Sequence, residues 1–262
     1  MQAILTILGS GTSMGVPTLG CSCPVCISPD PRNRRTRPSI RLEYNDKVVL
    51  IDTGQDFHAQ ALRERITRVD AVLYTHAHAD HILGLDDLRP LTFKNPDPLP
   101  LYADDETATT IERIFEYTFR HENRYPTSAR VQMHRLPTTP GTEITLFDAK
   151  FERIPVSHGP QTIAAYRFGK AAYLTDVSDI PPASMERLQG LDVLILDALR
   201  RTPHPSHMHL DKSVELVQKL RPKQAYFTHI SHDLDHSTTE SALPPNIRLA
   251  YDSQQIPFNI TE

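Results

Sequence analysis

Apolar runs of four to six residues recur along the whole chain, separated by polar loops and by stretches in which apolar positions return every three or four residues. The short runs predict strands at 4–8, 40–44, 48–52, 71–75, 99–102, 144–147, 151–156, 164–168, 171–174, 193–196, 225–228 and 247–250. Many are apolar on successive positions, the pattern of strands covered on both faces. The helical periodicity predicts helices at 57–66, 82–88, 107–119, 183–188 and 212–220. In the third of these, Ile111, Ile114, Phe115, Thr118 and Phe119 make a one-sided stripe suited to packing on a core. Pro222 is expected to stop the last helix just after Leu220. No repeat is visible, and the Pro-rich stretches 95–100 and 137–140 read as connections. The whole of 1–262 is therefore expected to form one α/β domain, two sheets sandwiched between helical layers.

The chain has 262 residues, 39% of them hydrophobic and 23% charged, enough to bury a sizeable core. Its formal net charge of −4 argues against general nucleic acid binding. The cluster Arg32, Arg34, Arg35 and Arg37 is a local exception, readable as a solvated loop or as an anion-attracting rim. No apolar run reaches membrane-spanning length, so no membrane partner is expected. The first eight residues lack a basic start and a signal-length apolar core; they read as a strand, and a cytoplasmic location follows as the expectation.

Chemistry enters directly after the apolar run 71–74. His76, His78, Asp80 and His81 place three imidazoles and a carboxylate within six positions, a ligand set suited to zinc, manganese or iron. His158, Asp176 and His229 each follow another predicted strand, so one sheet edge would aim all of them at one region. Cys21, Cys23 and Cys26 are too few and too close for a disulfide framework but well spaced to converge on one metal. His232 would complete a closed Cys3His set, the coordination of a structural zinc. Such a site would pin the N-terminal loop against the loop carrying His229.

The order His-x-His-x-Asp-His, then a lone His, a lone Asp and a final His, resembles the metallo-β-lactamase superfamily. Leu8-Gly9-Ser10-Gly11-Thr12 and Ile51-Asp52-Thr53-Gly54 look like that family as well. The resemblance implies an αββα sandwich, two mixed β-sheets flanked by helices, and two divalent ions, manganese or zinc. It implies His76, His78 and His158 on one ion, Asp80, His81 and His229 on the other, and Asp176 between them. Asp52 is a candidate either for orienting a ligand imidazole or for capping its own turn.

The loop from Gly20 to Cys26 and the segment Thr228-His229-Ile230-Ser231-His232 resemble more closely the cyclic-phosphate phosphodiesterases of the bacterial carbon–phosphorus lyase pathway. That resemblance implies small (cyclic) phosphodiester substrates, of the phosphoribosyl 1,2-cyclic phosphate class, attacked by a hydroxide shared between the ions. It also suggests a homodimer. In that family a histidine precedes the helix leading to the last metal ligand; aligning on Leu210 selects His207, and a one-residue gap selects His209. His207, as proton donor to the leaving alkoxide, and Asp80 are thus the candidate catalytic residues. RNA 3′-end processing of the ribonuclease Z type, lactone or thioester hydrolysis, and a metal-binding scaffold or sensor without turnover are the competing readings. His58, His121, His134 and His236 are expected in ordinary surface roles.

Overall fold

The computed structural model describes residues 1–93, 95–120 and 122–261; His121 lies outside them. Two seven-stranded sheets stack face to face. The first is built from β1 (Gln2–Gly9), β2 (Ser39–Tyr44), β3 (Lys47–Ile51), β4 (Ala71–Leu73), β5 (Leu99–Asp104) and β6 (Val131–Leu136). The second holds β7 (Glu143–Leu146), β8 (Ala149–His158), β9 (Gln161–Phe168), β10 (Ala171–Leu174), β11 (Val193–Asp197), β12 (Gln224–Thr228) and β13 (Ile247–Leu249). Finally β14 (Gln255–Asn259) returns to the first sheet beside β1. Both sheets are mixed: β3 to β6 run parallel in one, β10 to β13 in the other, and antiparallel pairings complete each.

Alternation along each strand sorts the side chains into layers. Leu5, Ile7, Ala71, Leu73, Tyr173 and Ile195 fill the core between the sheets. Val72 and Tyr74 face outward under α1 (Phe57–Arg63), α2 (Ala79–Ile82), α3 (Arg89–Thr92), α4 (Asp105–Ile114) and α5 (Glu116–Phe119). Leu174, Leu194 and Leu196 face the opposite layer, α6 (Pro182–Arg187) and α7 (Leu210–Leu220), with α8 (His236–Ser241) following β12. The expected αββα sandwich is therefore the architecture found. α7 stops where Pro222 requires, through a left-handed Arg221 at φ 51°.

The expected helix at 107–119 is interrupted. Phe115 leaves helical geometry (φ −104°, ψ 35°), dividing the segment into α4 and α5. Ile111, Phe115 and Thr118 are buried as the stripe requires, but Ile114, the last residue of α4, is 43% exposed. Strands β6 and β14 were not signalled by any apolar run.

Near one edge the sheets are stitched together: Ala164 N–H donates to Thr75 O (3.0 Å) and Tyr166 O–H to Tyr74 O (2.8 Å). The carboxyl ends of β3, β4, β8, β10, β11 and β12 lead to Asp52, His76, His158, Asp176, Asp197 and His229. That edge is where open α/β sheets present their sites.

Candidate metal centre

The turn after β4 is short because α2 starts at Ala79, and its first helical turn puts Asp80 and His81 against the strand ends. Two groups of ligand atoms form there. Those of His76, His78 and His158 lie within 4.8 Å of one another, as do those of Asp80, His81, Asp176 and His229. Asp176 touches both sides, since its oxygen is also within 4.8 Å of the His158 and His207 nitrogens. Its Oδ2 is 3.2 Å from His81 Nε2 and its Oδ1 is 3.2 Å from His229 Nε2. All seven residues that the sequence singled out for two ions thus meet at one place.

The second nitrogens of three imidazoles are taken. His81 Nδ1 sits 2.7 Å from Asp52 Oδ2, His158 Nδ1 2.8 Å from Ser206 O, and His76 Nδ1 3.0 Å from Thr75 Oγ1. A ring that donates from Nδ1 to an oxygen keeps its Nε2 lone pair for a metal. Asp52 therefore holds the His81 imidazole, and Thr75 N–H fixes its other oxygen at 2.8 Å.

The residues fit a pair of cations. His81 Nε2, Asp80 Oδ2 and His229 Nε2 are buried without a hydrogen-bond partner among the described residues, an arrangement that costs free energy unless a ligand engages them. His76 Nε2 and His78 Nδ1 face each other at 2.9 Å, which suits two lone pairs converging on one ion. Burial holds His76 and His158 below the ordinary imidazole range, in the neutral form that ligates. For His81 and His229 burial acts in the same direction, but the carboxylates of Asp80 and Asp176 outweigh it and raise both, His229 to about 9.

His207 stands beside this cluster, its ring 4.8 Å from that of His158 and stacked 4.6 Å from that of His229. Its Nδ1 is 2.8 Å from Asp197 Oδ2 and its Nε2 is 3.9 Å from Asp176 Oδ1. Asp197 was missed in the sequence; the only signal was a carboxylate at the end of an apolar run. Burial raises its carboxyl, opposed chiefly by the hydrogen bond from His207. His209 instead occupies the N-cap of α7 and joins none of the ligand groups among the described residues.

The three cysteines and His232 also converge. The sulfurs of Cys21, Cys23 and Cys26 lie 3.3, 3.6 and 3.4 Å from His232 Nδ1. A tetrahedral zinc with its usual bond lengths sets S···N edges of about 3.6 Å. The guanidiniums of the basic cluster are engaged within the protein. Arg32 pairs with Asp30, Arg34 donates to Cys26 O and Ser28 O, Arg37 pairs with Asp56, and Arg35 is buried. Of the unassigned histidines, His58 is exposed and His134 stacks on Tyr102, whereas His236 is buried against Tyr251 and so departs from a surface role.

Residues 47–230 match the family model of the beta-lactamase superfamily domain. A crystal structure described as a new diphosphatase from the PhnP family is 53% identical, with a TM-score of 0.93, covering 100% of this chain and 99% of that one. An octanoyltransferase of Porphyromonas gingivalis is 36% identical over 255 residues, 96% of this chain, and this chain spans 50% of its length. A ribonuclease Z of Methanococcus maripaludis is 24% identical over 236 residues, 87% of this chain and 67% of that protein. The chain belongs to the beta-lactamase superfamily and, on the full-length match, to the PhnP family within it. It is a metal-dependent hydrolase. Among the described residues no helix is long and apolar enough to cross a membrane.

Proposed function

We propose that this chain is a dinuclear-metal phosphodiesterase acting on small, cyclic phosphodiesters. The observation that carries the reading is the convergence of two ligand groups on Asp176 with an Asp197-held imidazole at their side. His76, His78 and His158 would hold one ion, Asp80, His81 and His229 the other, with Asp176 between them. Manganese and zinc both suit this thiolate-free set, and a third ion, zinc, suits the cysteines and His232. When bound, the paired ions supply Lewis acidity that acidifies water and offsets charge on phosphoryl oxygens.

The chain's own groups supply the rest. Asp197 accepts from His207 Nδ1–H, so Nε2 is the nitrogen turned toward Asp176 and a substrate there. A proton carried at Nε2 would be placed to pass to a leaving alkoxide.

A pocket of about 180 Å³ opens beside His76 and His78. Glu106, Thr107, Thr110, Gln161 and Thr162 supply its polar lining, and no arginine or lysine contributes. It has room for about six waters' worth of volume. These features favour a compact hydroxylated alcohol over a folded RNA, whose phosphates Glu106 would repel.

The test is a hydrolysis screen of protein reconstituted with manganese or zinc. Its panel contains bis-p-nitrophenyl phosphate, a cyclic ribosyl phosphate, cyclic nucleotides, a pre-tRNA, lactones and thioesters. Highest kcat/KM on a cyclic diester is the expected result. Preference for pre-tRNA, which the ribonuclease Z relatives make the principal competitor, or for an acyl substrate would overturn it, as would absence of any turnover by protein holding both ions.

A further inference from the structure

Among the four most buried imidazoles of the centre, His229 differs from the rest. His76, His81 and His158 each have a side-chain or carbonyl oxygen on Nδ1, whereas His229 Nδ1 has no hydrogen-bond partner among the described residues. Nothing polar on that nitrogen aims its ring. Beyond the stacked His207 ring, its aim comes from its backbone, and that backbone is unusual: φ is +57°, the left-handed region that a β-carbon disfavours. Such a conformation persists only where the surroundings impose it.

The surroundings here are a set of backbone bonds and one buried guanidinium. Ile230 N–H donates to Ser10 O (2.9 Å), and Ser231 N–H donates to Leu199 O (2.9 Å). Arg35, 1% exposed, donates from Nη1 to Ser231 O (2.9 Å) and from Nη2 to Leu234 O (2.8 Å). Its Nη2 also reaches Asn33 Oδ1 (3.0 Å), and its Nε reaches Arg32 O (3.2 Å). No carboxylate lies within ion-pair distance of it among the described residues, although Asp235, Asp252 and Asp30 are near enough to favour its charge. Burial pushes the group down to about 10, still far above neutrality, so it is charged at working pH. A buried cation paired with carbonyls of the 231–234 turn is costly to retain unless that turn must be held.

We propose that Arg35 is the positioning residue for His229, fixing the turn behind it and so tuning affinity for the ion on the Asp80, His81 and His229 side. The proposal rests on the two-ion reading of the centre and assigns this arginine a part in only one half of it. The cysteine site would hold the same turn through His232.

The test uses the full chain with zinc left in the thiolate site. The active centre is stripped by mild chelation and titrated with Mn²⁺, followed by calorimetry and by the spin-resonance signal of bound Mn²⁺. In Arg35→Met the ion on the His229 side is expected to bind about ten- to a hundredfold more weakly, the usual cost of losing an orienting partner. The other ion should keep its affinity. Arg35→Lys, which can reach one carbonyl but not both, is expected to lose less and covers the case in which Arg35→Met does not fold. Two unchanged affinities, or two that fall together, in a folded variant overturn the proposal. Failure of the wild type to bind two ions would instead overturn the reading of the centre itself.

Discussion

His207 donates through Nδ1 to Asp197 at 2.8 Å, and that one bond decides which nitrogen faces the metal cluster. If Nε2 delivers a proton to the departing oxygen, His207→Ala should slow a methyl or ribosyl diester by roughly 10²–10⁴-fold. Hydrolysis of a p-nitrophenyl ester should change little, because nitrophenolate leaves without a proton. Asp197→Asn is expected to show the same selectivity, since it leaves the imidazole in place but no longer fixes its tautomer. Equal losses on the two leaving groups, in kcat measured on metal-loaded protein, would take His207 out of this role. The candidate ligands are legible in the sequence because His76, His78, Asp80 and His81 fall within one tight turn, where spacing alone confines them. Asp197 and Ser206 are not. Asp197 finds its partner ten residues on, across a loop whose course no periodicity encodes, and Ser206 acts through a backbone carbonyl that carries no side-chain signal.

The N-terminal cysteine loop and α8 lean on the same turn from two sides, and each allows a measurement. Cys23→Ser should lower bound zinc by about one ion per chain, given the closed four-ligand set. It should also open the loop between Gly15 and Ser28 to limited proteolysis, while Arg35 keeps the 231–234 turn in place. Zinc content equal to wild type would refute the site. His236 begins α8 with its imidazole held down to about 4, by burial first and by Arg32 and Arg35 in addition, against the pull of Glu240 and Asp30. Below about 6.5 the unfolded chain takes up a proton that the folded chain refuses, so stability falls as pH drops from there toward 4 and levels off beneath it. His236→Gln should flatten that part of the curve of urea midpoint against pH, and an unaltered slope would contradict it. At this scale the central strands were readable from their apolar runs, whereas β6 and β14 were not. Both are edge strands, half wetted, and β14 carries Pro257, which an edge strand tolerates but a central one does not.

The candidate metal centre lies where two separately wound sheets meet, since His76, Asp80 and His81 come from one and His158, Asp176 and His229 from the other. Apolar packing between the sheets is non-directional, so something must fix how they sit. One candidate is a buried ion pair that crosses between them: Asp104, at the end of β5, accepts from Arg153 on β8 at 2.9 Å. The same carboxylate caps α4 through Thr107 N–H at 3.0 Å, tying the pair to the helix that lines the pocket beside His76. Removing one partner leaves the other charge buried and unpaired, at a cost of about 3–5 kcal/mol. Loss of the cap alone costs only about 1 kcal/mol. Asp104→Ala is therefore expected to lower unfolding free energy in urea by the larger figure. Asp104→Leu combined with Arg153→Met should recover most of it, because neither charge then remains to be solvated. If Asp104→Ala costs no more than the cap, the pair does not hold the sheets together. If the double variant is stable yet Mn²⁺ binding at both ions weakens, the pair sets the alignment of the two halves rather than the stability of the whole.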